Sequence, residues 1–177
     1  SLLAELRAYA EEFDRSSESL MLFGNAGLGK THAALAIAGI VLEKGYDVIY
    51  VSSPDFFSKL EGLHFGADPA GEEETLMQTA AGADLLILDD FGGERKGEWQ
   101  DQELLYLIDY RINNGKPIIA TAGCSMTDLK NDGRIVDRLG KICIPIHLPE
   151  ISIRKQKASI ENEAFMKKIL GKSTETL

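Results

Sequence analysis

One eight-residue stretch constrains this chain more than any other. Gly24-Asn25-Ala26-Gly27-Leu28-Gly29-Lys30-Thr31 satisfies G-x-x-x-x-G-K-[ST], and it stands between an apolar run, Leu20 to Phe23, and an Ala/Leu/Ile-rich segment, Thr31 to Lys44. A strand, a glycine loop and a helix in that order form a cradle for phosphates. Gly24, Gly27 and Gly29 let the backbone wrap closely round an anion, with successive N–H groups turned inward. The helix that follows offers its positive N-terminus to the same charge. Lys30 supplies a mobile point charge for the outer phosphates, and the Thr31 hydroxyl is the expected Mg²⁺ ligand. Asn25, Ala26 and Leu28 complete the loop. His32 closes the nucleotide-binding stretch as a helix residue with no chemistry of its own.

A second apolar run, Leu85-Leu86-Ile87-Leu88, ends in Asp89-Asp90. In open parallel sheets, ligands lie beyond the carboxyl ends of strands, so these acids are expected to face the glycine loop. Asp89 is the expected metal-shell carboxylate, acting through water because magnesium keeps several of its waters. Asp90 is placed to orient or deprotonate an attacking water. Glu94 reads as a loop charge.

Between these motifs, strand and helix patterns alternate. The first residues, with Leu2, Leu3, Leu6, Ala10 and Phe13 at helical spacing, predict an amphipathic helix. Asp47 to Val51 reads as a strand. Ser53-Pro54 reads as the cap and first residue of a helix running to about Leu60. The glycines at 62, 66 and 71 with Pro69 read as loop. Glu72 to Ala81 and Trp99 to Asn113 read as helices, and Pro117 to Thr121 as a strand. Ser125 with Asp128 resembles a capping box. Arg134 to Leu139 reads as a short helix, Ile142 to Leu148 as a strand and Ser152 to Leu170 as a terminal helix. Every strand is apolar enough to be buried on both faces, which predicts an α/β/α arrangement of three layers round a mostly parallel, five-stranded sheet. We expect one domain over 1–177, made of a leading helix (1–17), a core (18–150) and a C-terminal helix and tail (151–177).

Composition narrows the function classes. With 177 residues the chain can bury a sizeable core, about 70% of its unfolded surface for a domain near this size. No apolar run approaches the roughly 20 residues of a membrane span, and the expectation is a cytoplasmic protein without a signal peptide. The first residue is Ser1 rather than Met, which reads as a sequence trimmed from a longer one. A net charge of −9 argues against a generic nucleic-acid coat, which needs Lys and Arg to displace counterions. Cys124 and Cys143 read as small hydrophobes in a reducing compartment, and His32, His64 and His147 lack metal-ligand spacing.

Arg134-Ile-Val-Asp-Arg138-Leu139 puts two arginines four residues apart on one helical face, and Arg154 follows. Together with Gly-Lys-Thr-His at 29–32, Tyr-Val-Ser-Ser-Pro-Asp at 50–55, Leu-Leu-Ile-Leu-Asp-Asp-Phe-Gly at 85–92 and Lys-Pro-Ile-Ile-Ala-Thr at 116–121, the chain resembles the AAA+ ATPases. Within them it resembles the DnaC/DnaI-type helicase loaders and the related IstB-type transposition ATPases. The resemblance implies a P-loop core with a reduced C-terminal helical lid, ATP with Mg²⁺ as cofactors, and slow hydrolysis in an isolated monomer. It implies that Arg138 is an arginine finger reaching a neighbour's γ-phosphate, with Arg134 a second candidate, and that Arg154 is the sensor 2 arginine. The sensor 1 position falls near Ala122-Gly123, where the family carries a polar Asn, and Thr121 is the polar group that could stand in. The implied partners are a replicative DnaB-type helicase, a further copy of the chain assembling through Arg138 in an ATP-dependent way, and single-stranded DNA. The family's N-terminal helicase-binding region is expected outside this chain. An IstB-type transposition helper and a non-hydrolysing ATP-dependent switch are the alternative functions. A small-molecule kinase would need an arginine-rich substrate lid that the sequence lacks.

Overall fold

The structure, a computed structural model, describes residues 1–68, 70–92 and 97–149. Among these, five strands form one parallel sheet: β1 (Ser19–Phe23), β2 (Val48–Ser52), β3 (Leu85–Asp89), β4 (Ile118–Ala122) and β5 (Cys143–His147). Their order is β2-β3-β4-β1-β5. β3 and β4 are buried along their whole length, as their unbroken apolar runs require. The edge strands are not: Tyr50 of β2 and Ile144 of β5 are exposed, because each strand has one neighbour. The expectation that every strand is covered on both faces therefore fails at the two edges.

Residues alternate between faces along each strand, and the two faces carry separate cores. Leu85 and Ile87 join Leu20, Leu22 and Ile119 against α1 (Leu2–Glu12) and α2 (Lys30–Glu43). Leu86 and Leu88 join Met21, Phe23 and Ile118 against α3 (Ser53–Phe65), α4 (Glu72–Gly82), α5 (Glu98–Asn113) and α6 (Gly133–Ile142). The expected three layers are present. α2 leaves β1 in mid-sheet and delivers the chain to β2 at the edge, so it must cross β4 and β3. At its far end the Lys44 ammonium donates to the carbonyls of Glu11 (2.6 Å) and Phe13 (2.7 Å), holding the end of α1.

Several boundaries differ from the sequence reading. α3 begins at Ser53, with Ser52 in the cap position, and runs past Gly62 to Phe65. Its side chains Phe56, Phe57 and Leu60 are buried, and that packing outweighs the roughly 1 kcal/mol a helical glycine costs. α4 is started by Asp68, whose carboxylate accepts from the Glu72 and Glu73 N–H groups at 2.7 and 2.8 Å. Ser125 and Asp128 do not cap a helix. The Ser125 hydroxyl donates to the Asp128 carboxylate (2.6 Å) within a single 3₁₀ turn, Met126–Asp128. The cap of α6 is Asp132, which accepts from Arg134 N–H at 2.8 Å. The expected terminal helix from Ser152 to Leu170, together with Arg154 and Glu94, lies outside the described residues.

Candidate functional site

The glycine loop turns as the sequence reading requires: Gly24, Gly27 and Gly29 all hold positive φ (153°, 82° and 84°). Gly24 is also sterically fixed, since a Cβ there would lie 2.9 Å from the Leu28 Cδ1. Leu28 is buried and anchors the loop, whereas Asn25, Ala26 and Gly27 are exposed. Gly29 is the N-cap of α2, so Lys30 and Thr31 occupy the first turn, where N–H groups have no intrahelical acceptor. The Lys30 ammonium folds over the loop and donates to the carbonyls of Gly24 (2.6 Å) and Asn25 (3.0 Å). His32 is exposed on α2. Beside the loop lies an open cavity of about 510 Å³, lined by Phe23, Gly24, Asn25, Leu28, Cys124 and His147 among others.

Asp89 is 7% exposed and is the hub of the site. It accepts hydrogen bonds from three hydroxyls: Thr31 (2.9 and 3.0 Å to its two oxygens), Thr121 (2.6 Å to Oδ1) and Tyr50 (2.7 Å to Oδ2). Strand alternation explains the convergence. Asp89 follows Leu85 and Ile87 on the α2 face, Thr121 follows Ile119 on the same face, and Tyr50 pairs with Ile87. Thr31, at the start of α2, meets them from above. All the donors are neutral, and Lys30 bonds to the loop's own carbonyls instead. No cation among the described residues takes either oxygen of this buried carboxylate. One hard oxygen donor, an adjacent hydroxyl and phosphate oxygens are the donor set Mg²⁺ takes, so the residues present fit the implied metal. The Tyr50 phenol is pushed up to about 12, first by burial and then by its bond to Asp89, and it remains a donor at neutral pH.

Asp90 is exposed and has φ +55°, a left-handed conformation uncommon outside glycine. Its N–H donates to the Thr121 hydroxyl (3.0 Å), and the Phe91 N–H donates to the Thr121 carbonyl (2.7 Å). Thr121 thus fixes both acids: its hydroxyl donates to Asp89 while accepting from Asp90. It is 1% exposed, which makes it a positioning residue between the carboxylates. The arginines stand apart from this cluster. Arg138 on α6 pairs with Asp109 on α5, and its Nη1 donates to the Arg134 carbonyl. Arg134 pairs with Asp132 at the surface. The structure therefore gathers Lys30, Thr31, Asp89, Asp90 and Thr121 into one site and leaves Arg134 and Arg138 on another face of the fold.

The sequence reading missed Tyr50 as a partner of Asp89 and Asp109 as the partner of Arg138. Tyr50 had a usable signal, since it sits in mid-strand on the face that carries Asp89. Asp109 had none before its helix was packed against α6.

The sequence model of the IstB-like ATP binding protein family matches residues 2–160. The chain belongs to that family. It is 26% identical over 139 residues to the replicative helicase loader DnaC of Escherichia coli K12, covering 77% of this chain and 56% of that protein; it spans about half the length of the curated relatives it matches. A crystal structure of the DnaC helicase loader superposes with a TM-score of 0.74 at 26% identity, covering 84% of this chain and 88% of that one. A structure of AMPPCP-bound DnaA from Aquifex aeolicus (TM-score 0.72, 24% identity, 90% of this chain and 50% of that one) shares the fold. The IstB-like core here is thus an AAA+ P-loop domain, and among the described residues no helix is long and apolar enough to cross a membrane.

Proposed function

We propose that this chain is the ATP-hydrolysing domain of a protein that loads a replicative helicase onto DNA. The observation that carries the enzymatic part is the bond between the Thr31 hydroxyl and the buried Asp89 carboxylate, which joins the phosphate loop to the acidic strand end. Lys30 and the first turn of α2 hold the phosphates. Thr31 and Asp89 would hold Mg²⁺, which would supply charge neutralisation at the phosphate oxygens. Asp90, exposed at the strand end, orients the attacking water and takes its proton, so that ATP and water give ADP and phosphate. Arg138 pairs with Asp109 and lies away from its own loop, so a finger role on a neighbouring subunit requires that pair to open. An arginine supplied that way is worth roughly 10³–10⁵ in turnover. The loader role rests on the DnaC relatives. Family membership gives specific weight to one second reading, an IstB-type helper of a transposase.

The test is capture of the purified replicative helicase of the same cell by the full-length protein, with ATP and with ADP. Nucleotide-dependent capture is expected. Capture of a transposase and not of the helicase would replace the loader reading with the second one. Phosphate release rising with subunit concentration in wild type, and flat in Arg138→Ala, is the expected mark of the finger. Equal rates in the two proteins would remove Arg138 from catalysis.

A further inference from the structure

We propose that Tyr50 is a positioning residue of the metal site, and that its hydroxyl sets the orientation of the Asp89 carboxylate for a divalent cation. This rests on the reading of Asp89 as the metal-shell carboxylate.

A carboxylate on a strand end can rotate about its last side-chain bond unless both oxygens are held. Thr121 holds Oδ1 at 2.6 Å, and Thr31 straddles the two oxygens at 2.9 and 3.0 Å. Among the described residues, only Tyr50 takes Oδ2 alone, at 2.7 Å. Without it, the shared Thr31 hydrogen is the one restraint the described residues place on that oxygen, and Thr31 is itself the residue that would offer a lone pair to the metal. Tyr50 can act independently because it comes from a third element, the edge strand β2.

Its placement is also informative. Tyr50 lies on an edge strand and is 41% exposed as a residue. The hydroxyl is turned inward onto Asp89. Partners that orient a ligand in this way cost about 10–100-fold in metal affinity or activity when removed. Tyr50→Phe deletes one oxygen from a partly exposed ring and leaves the packing of β2 in place, so it isolates the hydrogen bond.

The experiment uses the full chain and a fluorescent ATP analogue. Wild type and Tyr50→Phe are compared for analogue affinity in EDTA, for the Mg²⁺ concentration giving half-maximal tight binding, and for Tm without nucleotide. Tyr50→Phe is expected to raise the Mg²⁺ midpoint about tenfold, with EDTA affinity and Tm unchanged. An unchanged midpoint in a wild type that does respond to Mg²⁺ overturns the role of Tyr50 and leaves the metal site standing. A parallel loss of EDTA affinity and Tm marks a merely structural tyrosine and overturns it equally. A wild type indifferent to Mg²⁺ overturns the metal reading of Asp89, and the proposal with it.

Discussion

Asp89, at the end of β3, and Arg111, on α5, are both buried ionisable side chains at opposite ends of the sheet, and they are held in different ways. Arg111, fully buried on α5, donates to the carbonyls of Ala80, Ala81, Ala83 and Pro117 at 2.6–3.1 Å, where α4 ends and β4 is about to begin. Burial lowers its pKa to about 10, with Asp84 partly opposing, so it stays charged at neutral pH. Those buried carbonyls need donors, and the two Nη groups supply them as a structural joint, while the buried Nε has no hydrogen-bond partner among the described residues. Asp89 meets only hydroxyls, each of which could turn toward another partner, and no cation among the described residues pairs with it. The contrast teaches how to tell a buried charge that completes a fold from one that awaits a ligand. The first is held by backbone groups fixed in the fold, the second by side-chain hydroxyls that can turn.

Four substitutions would break or sharpen that contrast, in falling order of expected effect. Arg111→Met should cost about 3–5 kcal/mol, because several buried carbonyls lose their donor together. A denaturant midpoint close to that of wild type would show that the carbonyls find other partners. Asp90→Asn should keep nucleotide binding and lose roughly 10²–10⁴ in turnover. Asn tolerates the left-handed backbone there, so the fold should be unaffected, and wild-type phosphate release would exclude Asp90 as the base. Thr121→Val removes the hydroxyl shared by the two acids and should cost about 1–3 kcal/mol, through the Asp90 N–H left without its acceptor, with a smaller fall in turnover. Equal stability by chemical melt would mean that the two acids are held by other contacts. Asp89→Asn should change apo stability by less than about 1 kcal/mol, since the hydroxyls can reverse to face an amide, while Mg²⁺ no longer tightens nucleotide binding. A destabilisation as large as that of Arg111→Met would erase the distinction.

The loop, the acidic strand end and the layer order were legible in the sequence because each rests on local rules. Glycine spacing sets the turn, and an apolar run ending in acid sets the strand and its exit. The limits of α3 were not legible, because Gly62 reads as a breaker until Phe56, Phe57 and Leu60 are seen buried on the sheet. The expected capping box at Ser125 failed for a related reason: its side chains bond to each other, and Asp132 caps the next helix. The partners of Asp89 required strand register, which sequence alone does not supply. The pairing of Arg138 with Asp109 depends on how α5 packs against α6, and residue spacing carries no trace of it.

The cross-sheet run of α2 joins two points that are far apart in the fold. Fourteen helical residues make a rod of about 21 Å, with the phosphate-gripping turn at one tip and the Lys44 hook on the end of α1 at the other. In mechanical terms it is a strut, with the glycine loop at one end and the end of α1 at the other. A tilt of the strut at the loop would be felt at α1.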